Sequence, residues 1–297
     1  MQTIEHTVFF HKDLDGIVSY LVLCWALHKK LSYIATTPLK LEQDFDRWSE
    51  KNKSSNIIFL DLDVSKLGDK IDSSTTTIFD HHKTNLYAFK HAKTRIYNET
   101  SCAKLVYDSL FKNQTVKPTN AQKTLIALAD DWDSNTKATP LSEQLNIVYH
   151  SFANKVESFI EDYYNGFHPF DKFKLNTIQL YKKHCREYLN SLNPYFGDIV
   201  FQDQKIKIGA VFCNQFVQEC CDFLFEKYKV DVSIAVLVDQ KRIAVRRSPL
   251  NTQTDVSKFV QRIAGGGGHE AAAGGNLTED FIEFTKLLKP IDNSLNT

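Results

Sequence analysis

The sequence shows no excess of either charge: across 297 residues, 36 Lys and Arg balance 36 Asp and Glu. Proteins that ride the phosphate backbone of long duplexes carry a broad basic face, so the balance argues against that class. A short polyanion held by a metal and a few local cations stays compatible with it. There is also no CxxC pair and no regular cysteine framework among Cys24, Cys102, Cys185, Cys213, Cys220 and Cys221. Cys220 and Cys221 lie in FVQECCDFLF, a helical pattern in which thiols serve as small apolar fillers. A reducing, cytoplasmic setting is expected. The longest mostly apolar run, IVSYLVLCWAL, has 11 residues, too few to span a bilayer. MQTIEHTVFFHKDLD lacks the basic start and unbroken apolar core of a secretory leader, so neither export nor a membrane partner is expected. Internal repeats and low-complexity segments are absent as well.

What is present can fill a core. The chain is 42% hydrophobic, with 21 Phe, 12 Tyr and 3 Trp, which argues against disorder. In the first third, short β-branched or aromatic runs (TVFF, SYIAT, NIIFL, TTTIF) alternate with helical patterns (GIVSYLVLCWALHKK, LEQDFDRWSEKN, VSKLGDKI). That alternation predicts an α/β fold with a mostly parallel sheet flanked by helices, and ligands at the carboxyl ends of the strands. From Glu99 to Leu192 the pattern is mainly helical, and NPYFGD breaks it near Pro194. Beyond it KIKIGAVF, VSIAVLV and RIAVRR read as strands between the helices QFVQECCDFLFEKY and VSKFVQRIA, a second and smaller α/β unit. The expected division is residues 1–168, a helical linker over 169–194, and residues 195–297.

Three predicted strand ends carry the same kind of side chain. TVFF runs into His11, Asp13 and Asp15, NIIFL into Asp61 and Asp63, and TTTIF into Asp80, His81 and His82. A fourth group, Asp130, Asp131 and Asp133, closes an apolar helix. A single Asp after a strand is ordinarily a turn residue or a helix cap. Three consecutive strand ends that all offer metal ligands are another matter. Carboxylates gathered in one crevice cannot all stay ionised without a compensating cation. Mixed imidazole and carboxylate donors suit Mn²⁺, whereas an all-oxygen shell would favour Mg²⁺. Near the other end, AVRRSP is followed by IAGGGGHEAAAGG, where consecutive glycines let backbone N–H groups approach an anion.

HKDLDG, FLDLD, DHH and ADDWD, in that order, resemble the four metal-binding motifs of the DHH phosphoesterase superfamily, and RS followed by GGGGHEAAAGG resembles its associated C-terminal domain. The resemblance implies two α/β domains with the active site in the cleft between them. It implies two divalent ions, Mn²⁺ the expected species, held by His11, Asp13, Asp15, Asp61, His81 and an acid of the ADDWD group. Asp131 is preferred there over Asp130, because DWDS fits the family pattern better. His82 is then expected over the scissile phosphate with Asp80 orienting its neighbours, and Arg247, Ser248, Gly265, Gly266, Gly267, Gly268 and His269 on the far end of the substrate. The implied activity is hydrolysis of short oligonucleotides or single strands to mononucleotides, in the manner of nano-RNases and RecJ-type exonucleases. A bisphosphonucleotide or cyclic dinucleotide substrate, and a non-catalytic nucleotide-binding protein on the same fold, stay open. So does a homodimer.

Overall fold

The computed structural model describes residues 6–52, 56–82, 85–97, 100–112, 115, 117–134, 136, 138–268, 270–277 and 289–290. Two compact units divide between Gln179 and Leu180.

In the first unit, strands β1 (His6–His11), β2 (Ser32–Thr36), β3 (Asn56–Leu60), β4 (Thr76–Asp80) and β5 (Lys93–Ile96) form one sheet in the order β2-β1-β3-β4-β5, with every pair parallel. The central strands read as continuous apolar runs because both faces are covered. Val8, Phe9, Phe10, Phe59 and Leu60 are fully buried, each contributing about 1.5–3 kcal/mol of transfer free energy. Helix α1 (Leu14–Leu27) is buried at every residue from Leu14 to Ala26 and packs against α3 (Cys102–Phe111) and α4 (Asn120–Asp133). Asp13 caps its N-terminus by accepting from Gly16 N at 2.9 Å, and His28 ends it in the left-handed conformation. Helix α2 (Leu41–Ser49) covers the opposite face through Leu41, Phe45 and Trp48. Helices α5 (Pro140–Ser151) and α6 (Lys155–Tyr163) complete the unit.

Two expectations need correction here. VSKLGDKI forms no α-helix, only a 3₁₀ turn at Gly68–Lys70. Its Gly68 has φ of +40°, which the interior of a right-handed helix does not accommodate. Strand β5 was not anticipated, because KTRI has no apolar run; it lies at the sheet edge, where only alternate residues are covered.

Helix α7 (Lys172–Ser191) crosses the division point and leads into the second unit. Strands β6 (Tyr195–Phe201) and β7 (Gln204–Phe212) form a hairpin whose turn residues, Gln202 and Asp203, both have positive φ, as a twist-matched two-residue turn requires. With β8 (Val232–Leu237), β9 (Arg242–Arg247), β10 (Gly267–Gly268), β11 (Ala272–Asn276) and β12 (Lys289–Pro290) they make a mixed sheet in the order β10-β11-β9-β8-β7-β6-β12. Helix α8 (Val217–Tyr228) packs on one face through Cys220, Cys221 and Leu224. Helix α9 (Val256–Ala264) packs on the other through Phe259, Val260 and Ile263. The glycine-rich stretch is thus partly a sheet edge: Gly267 and Gly268 pair with Gly274 and Ala273.

Candidate metal centre

The strand order 2-1-3-4-5 reverses between β1 and β3, and in open α/β sheets that is where a crevice forms beyond the carboxyl ends. The register aligns Phe10 with Leu60 and Leu60 with Phe79, so His11, Asp61 and Asp80 emerge at one level. Asp61, first residue off β3, has φ of +58°, uncommon for a residue with a side chain, and is buried. Asp13 and Asp15 follow from the first turn of α1.

These side chains converge. His11 Nδ1 lies 2.8 Å from Asp13 Oδ2 and 3.5 Å from Asp61 Oδ2. His81 Nε2 lies 3.1 Å from Asp61 Oδ1 and 3.8 Å from Asp15 Oδ2, while its Nδ1 lies 3.6 Å from Asp133 Oδ2. His82 Nδ1 lies 2.7 Å from Asp80 Oδ1 and 4.0 Å from Asp61 Oδ1. Three overlapping sets have ligand atoms within 4.8 Å of one another: His11, Asp13 and Asp61; Asp15, His81 and Asp133; Asp61, His81 and His82. Asp15 is also fixed from behind, accepting from Cys102 N at 2.7 Å and Ala103 N at 2.9 Å at the N-terminus of α3.

Crowding of like charge sets the protonation of the group. Burial, together with the Asp61 and Asp133 charges, raises the Asp15 carboxyl well above its usual range. Burial and the nearby Asp61 and Asp13, against the pull of His81, lift Asp133 to about 7. Burial opposes charge on the imidazoles, but Asp13 and Asp61 push His11 up to about 11, and Asp61, Asp133 and Asp15 push His81 up to about 10. Asp61 moves the other way: burial disfavours its charge, yet His11 and His81 hold it below the usual carboxylate range. The protein thus gathers acids that need positive charge, and its own imidazoles supply some of it.

A divalent cation fits this donor set. Asp61 Oδ2 is buried and has no hydrogen-bond partner among the described residues, a costly state for a carboxylate oxygen unless something else coordinates it. His11, Asp13, Asp15, Asp61, His81 and Asp133 are the residues that would hold such ions.

Asp130 and Asp131 fall in none of these sets among the described residues. Asp131 is occupied by the segment after α4: Ser142 Oγ donates to it at 2.6 Å, Ala138 N at 2.8 Å and Thr139 N at 3.3 Å, and Thr136 Oγ1 donates too. Asp130 Oδ1 accepts from Thr100 Oγ1 and Ser101 N, both at 3.0 Å, ahead of α3. Asp133 is the acid of this group that clusters with Asp15 and His81. Asp133 lies one turn beyond Ala129 and two beyond Ile126, and Asp131 one turn beyond Leu128, all three of these apolar residues being buried, so the helical period alone does not separate the two acids. Asp63, the second acid after β3, accepts from Ser65 N at 2.9 Å, as a turn residue does.

The expected residues of the second unit are placed differently. The Arg247 guanidinium donates to Thr252 O at 3.0 Å and Thr254 O at 3.1 Å, so it braces the loop before α9. Ser248 is buried; its N–H donates to Asp231 O at 2.8 Å and its Oγ accepts from Leu250 N at 3.3 Å. Gly266 is demanded by packing, since a Cβ there would sit 2.1 Å from Gly274 O. Gly265 ends α9, Gly267 and Gly268 form β10, and His269 lies outside the described residues.

Comparison with known proteins bears on the family and the fold. The DHH family N-terminal domain matches residues 5–129, and the DHHA1 domain matches residues 212–296. The chain is 24% identical over 302 residues to oligoribonuclease NrnB of Bacillus subtilis, covering 93% of this chain and 74% of that protein. Among solved structures it is similar to the pGpG-specific phosphodiesterase PggH of Vibrio cholerae, with a TM-score of 0.57 and 15% identity over 95% of this chain and 96% of that one. It is similar also to Thermus thermophilus RecJ in complex with Mn²⁺, with a TM-score of 0.58 and 10% identity over 95% of this chain and 51% of that one. With both family domains in succession on a five-stranded parallel sheet and a mixed second sheet, the chain belongs to the DHH phosphoesterase superfamily.

Proposed function

We propose that this chain is a phosphodiesterase that uses two divalent ions, preferentially Mn²⁺, to hydrolyse short oligonucleotides or single strands to mononucleotides. The observation that carries the reading is Asp61: a buried carboxylate at the switch point, shared by two groups of candidate ligands, with one oxygen that accepts no hydrogen bond and faces His11 Nδ1 at 3.5 Å. Bound divalent ions would supply Lewis acidity toward the phosphate oxygens and lower the pKa of a water. His11, Asp13 and Asp61 would hold one ion, and Asp15, His81 and Asp133 the other. His82, anchored on Asp80, would donate a hydrogen bond to a phosphate oxygen as negative charge builds there. Both oxygen and imidazole nitrogen donors are present, which supports Mn²⁺ over Mg²⁺.

NrnB is an oligoribonuclease and PggH acts on pGpG, and these two similarities support a short linear substrate. Gly265–Gly268 and His269 are proposed to take the nucleotide beyond the scissile bond. Arg247 and Ser248 then act through the loop they brace, and Arg247 N–H donates to Ala271 O at 2.9 Å just past the glycine run.

The test is a panel of a dinucleotide, a longer single strand, 3′-phosphoadenosine 5′-phosphate and a cyclic dinucleotide, with and without Mn²⁺. Metal-dependent release of mononucleotides from the first two is expected. Cleavage confined to the bisphosphate or the cyclic compound would transfer the site to that substrate. Uptake of Mn²⁺ with no cleavage of any of them would make the chain a nucleotide-binding protein on an enzyme fold.

A further inference from the structure

Behind His82 a hydrogen-bonded chain leads away from the centre into the loop after β3. His82 Nδ1 meets Asp80 Oδ1 at 2.7 Å, and the same oxygen accepts from His81 N at 2.9 Å. Asp80 Oδ2 accepts from Asn85 Nδ2 at 2.8 Å. Asn85 Oδ1 accepts from Ser65 Oγ at 3.2 Å, and Ser65 Oγ in turn accepts from Leu86 N at 3.1 Å. Asp80 is fully buried and Asn85 nearly so.

Each link constrains the next. With three donors turned on it, Asp80 serves as an acceptor throughout, so the Asn85 amide must present its NH₂ to the carboxylate and its carbonyl to Ser65. The reverse orientation would set oxygen against oxygen in a site without solvent. The Ser65 hydroxyl then donates to the Asn85 carbonyl while its oxygen accepts the backbone N–H of Leu86. At the inner end, His82 Nδ1 has to donate. The chain also joins two loops with separate duties: Ser65 follows Asp61 off β3, and Asn85 follows His81 and His82 off β4.

We infer that Asn85 and Ser65 are positioning residues: they lock Asp80 so that His82 carries a proton on Nδ1 and addresses the substrate through Nε2, and they fix the Asp61 loop against the His81–His82 loop. This rests on the proposed phosphodiesterase function. Simple packing would need no such ordered series of donors, since an apolar pair of similar volume would fill the same space. Without the Asn85 side chain, Asp80 Oδ2 loses the amide donor at 2.8 Å in a buried setting, and the carboxylate is free to rotate away from His82.

The experiment uses the full chain labelled with ¹⁵N-histidine, in the metal-free state for spectroscopy and with Mn²⁺ for turnover. Wild type should show a slowly exchanging His82 Nδ1 proton. In Asn85→Ala that proton should exchange too fast to detect, and kcat on the dinucleotide should fall about 10²-fold with KM little changed, as expected when a reacting group is displaced by roughly 1 Å. Ser65→Ala removes only the outer link at a half-buried position. It should give the same changes in weaker form, a fall of about 5- to 10-fold, and it keeps the test intact if Asn85→Ala does not fold. A protected proton in both variants, or its loss with kcat unchanged, overturns the inference. A wild-type chain that binds Mn²⁺ but hydrolyses no phosphodiester defeats the proposed function instead, while the proton signal still decides whether Asn85 and Ser65 hold His82.

Discussion

Asp61 at the end of β3 and Asp131 at the end of α4 are both buried aspartates, and they live under opposite conditions. Asp131 is saturated: two hydroxyls and two backbone N–H groups close on it. Those donors, acting against burial, hold its carboxyl low in the carboxylate range, at about 2. Asp61 faces two imidazoles and neighbouring acids, and one of its oxygens has no hydrogen-bond donor. A carboxylate whose lone pairs are filled by its own chain is a structural part, and Asp131 stitches the segment 136–142 onto α4. A buried carboxylate with an open lone pair among other acids is half of a cation site. Completeness of hydrogen bonding, more than burial, separates the two.

The largest effect that would sharpen this contrast is on Asp61. Asp61→Asn should lower kcat/KM by about 10³-fold or more, since it removes the carboxylate charge that the His11–Asp13 and His81–His82 groups share, and it should abolish tight Mn²⁺ uptake measured by calorimetry. Full activity at saturating Mn²⁺ would break the assignment. Next come the two acids of α4. Asp133→Asn should reduce kcat/KM by roughly 10- to 100-fold with an unchanged unfolding midpoint. Asp131→Ala should do the reverse, keeping kcat/KM within a few fold while costing about 1–3 kcal/mol in denaturant unfolding. If Asp131→Ala were the inactive variant and Asp133→Asn the unstable one, the comparison would be inverted. Asp130→Ala removes the acceptor for Thr100 and Ser101 ahead of α3 and should cost about 1 kcal/mol by the same assay.

The smallest expected effect lies in the second unit. Asp255 caps α9 by accepting from Ser257 N and Lys258 N, and against the effect of burial these donors and the Ser257 hydroxyl lower its carboxyl pKa. A carboxyl whose pKa is lower in the folded state stabilises above its unfolded value near 3.9 and loses that contribution as pH falls through the folded value. Asp255→Asn keeps a cap but cannot titrate, so its unfolding free energy should decline less between about pH 5 and pH 3 than that of wild type. Parallel acid profiles for the two proteins would show that the cap does not act through its charge.

Much of this was legible in the residues alone, for physical reasons. TVFF, NIIFL and TTTIF form largely buried strands, so each reads as a β-branched or aromatic run, and the acids and histidines that end the runs stand out against it. Strand β5 and the 3₁₀ turn at Gly68–Lys70 were hidden, one because an edge strand needs few apolar residues, the other because one left-handed glycine overrides a helical pattern. Within ADDWD, motif spacing favoured Asp131, but the partners that occupy it come from Thr136 to Ser142, beyond the reach of a local pattern. The helix period did not separate the two acids, since Ile126 and Ala129 lead to Asp133 and the equally buried Leu125 and Leu128 lead to Asp131. Asn85 and Ser65 carried no signal, because an amide and a hydroxyl gain meaning only when Asp80 is seen between them and His82. Arg247 likewise gave no local sign that its guanidinium donates to the carbonyls of Thr252 and Thr254.

Anomalous diffraction from crystals grown with Mn²⁺ is the most direct measurement of the metal centre. Two peaks are expected, one bounded by His11, Asp13 and Asp61 and the other by Asp15, His81 and Asp133, with Asp131 still bonded to Thr136 and Ser142. Manganese bound at Asp131, or no ordered ion near Asp61, would contradict the account.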